Sequence, residues 1–428
     1  MTDIMETQQR RKIIRAGLIG NLSEWYDFAI YGYFITVISP QFFPSDNPTV
    51  SLLAAFGAFA AGFIVRPLGA AVFGYIGDKL GRAKALTISI WAMAIPTVLI
   101  GILPNYEAIG VLAPIMILLL RVVQGLSVGG EFTSSIIFLV ERAEPHRRSF
   151  TGCWSKFGAT SGILLGAATG ALLSSILTEQ QIADWGWRLP FFLGAFTGLV
   201  GVYLRRQVST EQKIGPPLHS PIKEAFRSHW RLIVKLAAMK IALGVGYYTA
   251  FVYGVTYIRD VDGLSSTRAY EVNVLAMLVL LALIPIAALL ADRIGRRPML
   301  VVGTGILTFG AVPFFMLMHN TDPATILLGE IGFALGIATF SAGLTAAVVE
   351  LTPPEVRCTT IALSHNIAMA LFGGTTPLIA TWLIASTGDP LSPGYWVAAG
   401  SAISFLTIVL FVPETRLRPL FPTATAAA

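Results

Sequence analysis

The sequence is poor in charged residues, which make up 13% of its 428 residues, whereas 54% are hydrophobic. Soluble globular domains carry about 25% charged residues, and the mean hydropathy here is +0.70. The composition therefore excludes a soluble globule and, at this length, predicts an integral membrane protein that crosses the bilayer many times. The net charge of +6 comes from short basic clusters between apolar runs, a pattern typical of cytoplasmic loops that does not favour nucleic-acid binding.

Cysteine and histidine are scarce as well. The two cysteines, Cys153 and Cys358, lie far apart at the starts of apolar runs, so the sequence supports neither a disulfide framework nor a CxxC metal site. We expect both to be packing residues. Four of the five histidines fall in predicted loops or at span ends, namely His146, His219, His229 and His319. Because no set of nucleophile, base and orienting residue emerges, we expect no enzyme, no cofactor and no metal site.

The first apolar run, 13–38, is about twice as long as a signal-peptide core and has no A-x-A cleavage site. We expect it to be an uncleaved first span. Counting apolar runs of roughly 17 to 25 residues or longer predicts twelve spans: 13–38, 50–74, 83–103, 109–140, 150–177, 189–204, 232–257, 270–291, 299–318, 325–349, 358–384 and 395–412.

Lysine and arginine are absent from four of the breaks between these spans, near 40–49, 104–108, 319–323 and 387–394. The intervening breaks are basic, as in Arg10-Arg11-Lys12 and Arg147-Arg148. Basic residues in short loops are retained on the cytoplasmic side. We therefore expect both termini to be cytoplasmic in a multi-pass protein of the cell (inner) membrane.

The longest polar stretch, 205–231, falls at the middle of the chain and predicts a cytoplasmic linker between two six-span halves, 1–204 and 232–428. An internal repeat supports this division. The motif GDKLGR at 77–82 recurs as ADRIGR at 291–296, and Val140-Glu141 with Arg148 recurs as Val349-Glu350 with Arg357. The two matches keep the same order and nearly the same offset.

Several motifs resemble the major facilitator superfamily: GYIGDKLGRAKAL at 74–86 is similar to its signature between the second and third spans, and RVVQG at 121–125 to its fourth-span motif. NLSEWYDFAIYG (21–32), RPLGAAVFGYIGDKLGR (66–82), RVVQGLSVGGE (121–131) and DWGWRLPF (184–191) resemble the metabolite:proton symporters. That family includes permeases for citrate, α-ketoglutarate, shikimate, and proline or betaine.

The resemblance implies an all-α membrane protein with two pseudo-symmetric six-helix bundles around a central cavity that opens alternately to either side. Helices 1, 4, 7 and 10 would line that cavity. The resemblance also implies a gate at the cytoplasmic side, where Asp78 and Asp292 would act as latches and Arg66 would neutralise a loop carboxylate. The predicted gating residues are Asp78, Arg82, Asp292, Arg296, Glu141, Arg148, Glu350 and Arg357.

Ionisable residues inside the spans are the functional candidates, because each costs roughly 2.5–3.5 kcal/mol on insertion scales. Helical spacing places Glu24, Asp27 and Tyr31 on one face of the first span, and Arg121, Gln124 and Glu131 on one face of the fourth. Asp27 and Arg121 both come near the midplane, roughly 18 Å into their spans, and can pair. Glu131 and Lys156 form a second candidate pair.

Our hypothesis assigns proton coupling to Asp27 or Glu131, with Glu24 as a further carboxyl. A proton carrier needs a carboxyl whose proton affinity changes with burial and with a movable cation. Arg121 or Lys156 would bind the substrate carboxylate. The alternative is that these charges form permanent bridges that only position the helices.

The second half adds fewer candidates. Lys240 and Tyr247 in the seventh span would form a substrate wall, although Lys240 can also snorkel to the boundary. Glu330 would lie in an outer vestibule, and His365 is either a proton relay or a packing residue. The predicted substrate-binding residues are Arg121, Lys156, Tyr31, Lys240, Tyr247, Gln124 and Asn366.

These observations predict a proton-coupled symporter that works by alternating access, functions as a monomer and carries a small organic acid, most favourably a di- or tricarboxylate. A zwitterion of the proline or betaine kind is the alternative, because Glu24, Asp27 and Arg121 also supply sites of both charges. A receptor or sensor built on a carrier scaffold is the distant third possibility.

Overall fold

The computed structural model describes residues 18, 20–69, 72–73, 76, 82–128, 130–194 and 221–421, with the backbone alone for 82–87, 131 and 221–227. Every regular element in these residues is helical. An apolar bilayer leaves no water to satisfy backbone groups, and a helix pairs all of its own N–H and C=O groups along its length. The structure confirms the predicted all-α class.

Six helices belong to the N-terminal half. Their bounds are: α1, 20–33 continued by Ile35–Phe42; α2, Pro48–Ile64, helical again at 66–69; α3, Arg82–Ile102; α4, Leu112–Ser127 and Glu131–Glu141; α5, Arg148–Ile176; and α6, described over 189–194.

The C-terminal half contains six more: α7, Pro221–Tyr248, a π-helical segment Thr249–Tyr253 and Gly254–Asp260; α8, Ser266–Ile294; α9, Arg296–Met318; α10, Pro323–Glu350; α11, Arg357–Phe372 and Thr376–Thr387; and α12, Ser392–Phe411. Because α7 begins at Pro221, residues 221–231 of the predicted linker are helical, with a non-helical backbone at His229.

Side-chain caps fix several helix starts in the polar breaks. Asn47 accepts a hydrogen bond from the Thr49 amide at the start of α2, and Ser265 accepts one from Arg268 before α8. Asp322 accepts two, from Ala324 and Thr325, ahead of α10. Such caps satisfy amides that have no partner inside the helix, which is why the polar breaks in the sequence located these boundaries well.

Nine helices of the described chain are long and apolar enough to cross a membrane, and they correspond to nine of the twelve predicted spans. The third predicted span contains a shorter apolar helix, Ile88–Ile102. The first and sixth predicted spans are described only in part, over 20–38 and 189–194.

Glycines allow the helices of the N-terminal half to touch backbone to backbone. A Cβ on Gly125 of α4 would collide with the carbonyl of Gly62 on α2, and a Cβ on Gly162 of α5 would collide with the carbonyl of Leu22 on α1. Small residues bring membrane helices together in this way.

The two halves contact each other at both ends of the bundle. We call the end at which residues 412–421 lie the C-terminal face, and the opposite end the Tyr33 face. Along the length between them, α5 packs against α8 and α2 packs against α11. Contacts between described residues therefore bring the halves together at both ends of the region in which the central cavity lies.

Candidate functional site

A small cavity lies between the halves, where α1, α2, α4 and α11 meet. Its described lining is Glu24, Trp25, Arg66, Val128, Gly130, Phe132, Thr133, His365 and Asn366. The Trp25 and Phe132 rings contact edge to face with centroids 5.6 Å apart, and Phe132 lies 5.2 Å from the His365 ring across the interface. Among the described residues, the lining therefore combines one carboxylate, one guanidinium and aromatic walls.

Arg66 is the cation of this cavity, and only 1% of its surface is exposed. Its guanidinium carbon lies 3.8 Å from the centroid of the Phe63 ring and 4.1 Å from that of Phe28. Within the described part of the chain, its Nε and Nη2 have no hydrogen-bond partner. Aromatic rings enclose its guanidinium. Because Asp78 lies outside the described residues, the predicted role of Arg66 beside a loop carboxylate stays a prediction.

Arg121 is buried one layer behind the cavity. Its guanidinium carbon lies 4.7 Å from the Phe28 ring and 4.6 Å from the Tyr31 ring, so Phe28 separates the two guanidiniums. Arg121 Nη1 donates to Gln124 Oε1 at 3.0 Å, and Gln124 in turn donates to Thr97 at 2.8 Å. Three predicted site residues, Arg121, Gln124 and Tyr31, are thus brought together.

Asp27 does not pair with Arg121, and that predicted contact is wrong: no ion pair among the described residues joins them. Successive residues of a helix point about 100° apart. Phe28 therefore faces Arg121, whereas Asp27 faces α6, where a Cβ on Gly194 would collide with its Oδ1. Asp27 is 2% exposed, and within the described chain its Oδ1 has no hydrogen-bond partner.

Lys156 and Tyr247, both predicted to bind substrate, meet across the two halves. The Lys156 ammonium on α5 lies 4.0 Å from the centroid of the Tyr247 ring on α7, within the range of a cation–π interaction. The side chain of Glu131 lies outside the described residues, so the predicted Glu131–Lys156 pair stays a prediction.

Lys240 does not snorkel to the membrane boundary. It is 3% exposed, and its ammonium donates to the Ser364 hydroxyl at 2.8 Å and to the Ile361 carbonyl at 3.2 Å. These hydrogen bonds connect α7 to α11, and Ser364 is the residue before His365. A buried ammonium needs such acceptors to offset its lost hydration.

The α11 wall of the cavity consists of His365 and the predicted residue Asn366, both at least 94% buried. Within the described residues, His365 Nε2 has no hydrogen-bond partner. Sequence reasoning missed six lining residues: Trp25, Arg66, Val128, Gly130, Phe132 and Thr133. The available signal was Arg66 itself, a lone arginine inside an apolar run that should have been treated like Arg121.

Six of the predicted gating residues meet at the C-terminal face. Arg148 lies 3.2 Å from Glu350, and Arg296 lies 3.3 Å from Glu350 and 3.2 Å from Asp292. Arg357 pairs with Glu141. We call Glu141, Arg148, Asp292, Arg296, Glu350 and Arg357 the C-terminal cluster.

In the C-terminal cluster, each half contributes an arginine and a glutamate to ion pairs with the other half. Arg148 and Glu141 come from the N-terminal half, whereas Glu350 and Arg357 come from the other half. Asp292 accepts hydrogen bonds from the amides of Ser149 and Phe150 at 3.0 and 2.8 Å, where the start of α5 favours negative charge. The other motif copy cannot be compared, since Asp78 and the side chain of Arg82 lie outside the described residues.

Among the described residues, hydrogen bonds rather than ion pairs join the halves at the Tyr33 face. Tyr33 donates to the Phe251 carbonyl at 2.7 Å, and Tyr270 donates to the Tyr33 carbonyl at 2.6 Å. Arg259 donates to the Thr36 hydroxyl at 2.6 Å. None of these contacts was predicted, because tyrosines within apolar runs give no signal of which helices meet.

The model of the family described as sugar (and other) transporter matches residues 16–209 and 204–426 of the chain. The glycine betaine/proline/ectoine/pipecolic acid transporter OusA of Dickeya dadantii (strain 3937) is 36% identical over 442 residues, covering 99% of this chain and 87% of the relative. The proline/betaine transporter of Escherichia coli (strain K12) is 34% identical over 442 residues, covering 99% and 88%.

Solved structures with a similar fold include the major facilitator superfamily proton:xylose symporter XylE bound to 6-bromo-6-deoxy-D-glucose, at a TM-score of 0.76 and 16% identity over 97% of this chain and 98% of that one. A partially occluded, inward-open form of XylE from E. coli gives 0.74 and 17%, with coverages of 95% and 99%. The likeness is one of fold, and it confirms the predicted all-α major facilitator fold. The described cavity lining, however, comes from α1, α2, α4 and α11, and not from helices 1, 4, 7 and 10 as predicted.

Proposed function

The chain belongs to the sugar (and other) transporter family of the major facilitator superfamily, and on that premise we propose that it is a proton-coupled symporter of a small zwitterion of the betaine or proline kind. It is a membrane transporter and not an enzyme. We further propose that it acts as a monomer in the bacterial inner membrane, with the C-terminal face in the cytoplasm.

The substrate class differs from the organic acid that the sequence favoured. The two relatives compared above are a glycine betaine/proline/ectoine/pipecolic acid transporter and a proline/betaine transporter, which supports the alternative. A di- or tricarboxylate also needs several cations around one cavity. Among the described lining residues, only Arg66 is a permanent cation, and Glu24 adds a carboxylate.

The observation that carries the proposal is the pairing of Arg66 and Glu24 in one cavity with aromatic walls. The free N–H donors of Arg66 suit a substrate carboxylate. A quaternary or secondary ammonium suits a carboxylate and the faces of aromatic rings, which Glu24, Trp25 and Phe132 supply. Asn366 and His365 offer further polar contacts on the opposite wall.

Asp27 is the proposed proton carrier, with Glu24 and Glu131 as the other candidates. Its carboxyl is buried beside Gly194, no ion pair with a described cation holds it, and an ionised carboxylate in such surroundings is costly. Asp27 is connected to Arg121 only indirectly. The side chains of Asp27 and Thr97 both lie beside Gly194, and Thr97 accepts a hydrogen bond from Gln124, which in turn accepts one from Arg121. The proton would neutralise Asp27, and the zwitterion would pair with Arg66 and Glu24. Together they would offset the charges that oppose closure of the cavity.

Uptake into proteoliposomes tests this function. With an imposed proton gradient, we expect accumulation of glycine betaine and proline but not of citrate or α-ketoglutarate, and no accumulation when the gradient is collapsed. Accumulation of the carboxylates alone would contradict the proposed substrate class.

The proton site is tested in the same vesicles. Asp27→Asn should abolish gradient-driven accumulation while retaining exchange of labelled for unlabelled betaine, because exchange requires no net proton movement. Glu24→Gln and Glu131→Gln are the comparison variants. If Asp27→Asn still accumulates betaine and one of the others does not, the carrier is that residue instead.

A further inference from the structure

Glu330 of α10 is a buried carboxyl that the central cavity does not use. None of its surface is exposed, so the predicted position in an open vestibule is wrong. Its Oε1 accepts a hydrogen bond from Asn273 Nδ2 on α8 at 3.3 Å. Within the described residues, its Oε2 has no hydrogen-bond partner, and no ion pair among them includes this residue.

The Glu330 carboxyl is connected to α1 through Asn273. The Tyr33 hydroxyl lies 3.4 Å from Asn273 Oδ1, in addition to its shorter hydrogen bond to the Phe251 carbonyl. Tyr33 comes from the N-terminal half, whereas Asn273, Phe251 and Glu330 come from the C-terminal half. One network therefore joins the buried carboxyl to the contact that closes the Tyr33 face.

The π-helical segment of α7 supplies two further acceptors to this network. A π turn shifts the backbone hydrogen bonds from i+4 to i+5, and two carbonyls of the segment accept side-chain hydrogen bonds. The Phe251 carbonyl accepts from Tyr33 at 2.7 Å, and the Ala250 carbonyl lies 3.4 Å from Asn273 Nδ2. A Cβ on Gly254 would come within 2.9 Å of Glu330 Oε1, so the carboxyl packs tightly against α7.

No charged neighbour compensates an ionised Glu330 within the part of the chain that the structure describes. The titratable side chains grouped around Tyr33 in this region are Tyr247 of α7 and Tyr270 of α8, and tyrosines titrate near pH 10. From α9, the apolar residues Phe314 and Met318 pack on α10 beside Gly329. At the neighbouring helix ends Arg259 pairs with Asp260, and the Asp262 carboxylate lies 2.6 Å from His319 Nδ1.

We propose that Glu330 is a second proton-binding residue of the transport cycle, which must be protonated for the Tyr33 face to close. In the closed state the ionised form would leave a buried oxygen without a donor. When α1 moves away, Tyr33 leaves and water from that side reaches the carboxyl, which can then ionise. The proton of Glu330 enters and leaves from the same side of the membrane. It therefore controls closure of the Tyr33 face and is not transported in addition to the proton carried by Asp27.

Cysteine labelling tests this inference without any substrate. Met277 of α8 is fully buried, and its sulfur lies 3.5 Å from the Tyr33 hydroxyl, so a cysteine there becomes accessible when the Tyr33 face opens. Met277→Cys in a Cys358→Ser background would be labelled in proteoliposomes with a membrane-impermeant maleimide at several pH values. The same cysteine in a Glu330→Gln chain corrects for the pH dependence of the thiol itself.

The quantity to compare is the labelling rate of the chain that retains Glu330, divided by the rate of the Glu330→Gln chain at the same pH. We expect this ratio to rise with pH by up to about tenfold per pH unit, the limit for one linked proton. Tyr33→Phe should raise labelling at every pH but leave that pH dependence intact. A ratio that stays constant from acid to alkaline pH overturns the proposal.

A second variant covers the case in which Glu330→Gln does not fold. Asn273→Ala removes the donor to the ionised carboxylate, so the midpoint of the labelling profile should move to higher pH. An unchanged midpoint would equally overturn the proposal. The inference rests on the proposed symport only for its place in the cycle. If no zwitterion is transported but labelling follows this pattern, the proposed function fails and the pH-dependent gate stands.

Discussion

At the scale of single residues, Arg66 shows how a cation is accommodated in an apolar bundle. Its guanidinium lies over the rings of Phe28 and Phe63 and within 5.5 Å of Trp25. Aromatic faces attract cations without neutralising them. Within the described residues, its Nε and Nη2 have no hydrogen-bond partner, which is the property that a substrate site for a carboxylate needs.

Arg66→Lys should weaken betaine binding by roughly tenfold or more while keeping the charge, because an ammonium neither stacks on two rings nor offers a planar fork of donors. Binding would be measured from the substrate concentration dependence of uptake. Arg188→Lys is the matched control, since Arg188 also lies over an aromatic ring, that of Trp187, but binds the carbonyls of Gly101 and Leu103. Equal losses in both variants would argue against a substrate role for Arg66.

The sequence identified buried charges as candidates but could not pair them. Helical spacing predicted that Asp27 and Arg121 lie at similar depths and can contact each other. The rotation of α1 instead places the Phe28 ring against Arg121 and Arg66. Lys240 likewise has the spacing of a snorkelling residue, but its neighbours on α11 provide buried acceptors. Rotation and helix neighbours depend on packing across the whole bundle, which no local pattern encodes.

At the scale of helices, Glu414 stabilises the start of α9 from outside the membrane. It accepts hydrogen bonds from the amides of Arg296 and Arg297, both at 3.0 Å, and from those of Thr415 and Arg416. Partial burial raises the pKa of the Glu414 carboxyl, but these four donors outweigh that effect and hold the pKa below its ordinary value. The carboxylate thus caps the helix and fixes the segment that leads to the C-terminus.

Glu414→Gln should lower the thermal unfolding midpoint in detergent at neutral pH, since a capping side chain contributes about 0.5–2 kcal/mol. A lowered pKa means that this stabilisation is present above the ordinary pKa of about 4.5 and is lost as pH falls through the folded value. The midpoints of the two proteins should therefore converge in acid. Glu355→Gln, at an exposed turn, is the control, and a pH-independent difference would contradict the capping account.

Helix positions were predictable where apolar runs meet polar breaks with capping residues, as at Asn47 and Asp322. The π-helical segment of α7 was not, because Thr249–Tyr253 has the same apolar composition as the helix around it. The start of α7 was also missed, since Pro221 and the basic residues after it are typical of a linker. Proline is nevertheless favourable in the first turn of a helix.

At the scale of the whole molecule, the closed state is maintained by different chemistry at its two faces. The C-terminal cluster uses buried ion pairs, whereas the Tyr33 face uses hydrogen bonds to backbone carbonyls. The gating role of the residues in the C-terminal cluster was implied by the family resemblance, and the internal repeat pointed to the equivalent charged motifs of the two halves. The sequence contained no equivalent signal for the Tyr33 face.

Glu350→Gln should open the C-terminal face. Glu350 binds Arg148, Arg296 and the Thr415 hydroxyl, and removing one partner of a buried ion pair costs about 3–5 kcal/mol.

Cys153 is 2% exposed next to this cluster, whereas Cys358 is exposed. In a Cys358→Ser background, maleimide labelling of Cys153 should therefore increase strongly. Glu144→Gln, which removes a surface carboxylate beside His146, should leave labelling unchanged, and equal labelling in both variants would contradict a gating role.

The central claim is that one zwitterion crosses together with a proton, and proton movement driven by substrate tests it most directly. Proteoliposomes containing a pH-sensitive dye, with no initial gradient, would receive glycine betaine on the outside. We predict internal acidification that requires the protein, is absent with citrate and is abolished by Asp27→Asn. Uptake of labelled betaine without any acidification would contradict the claim.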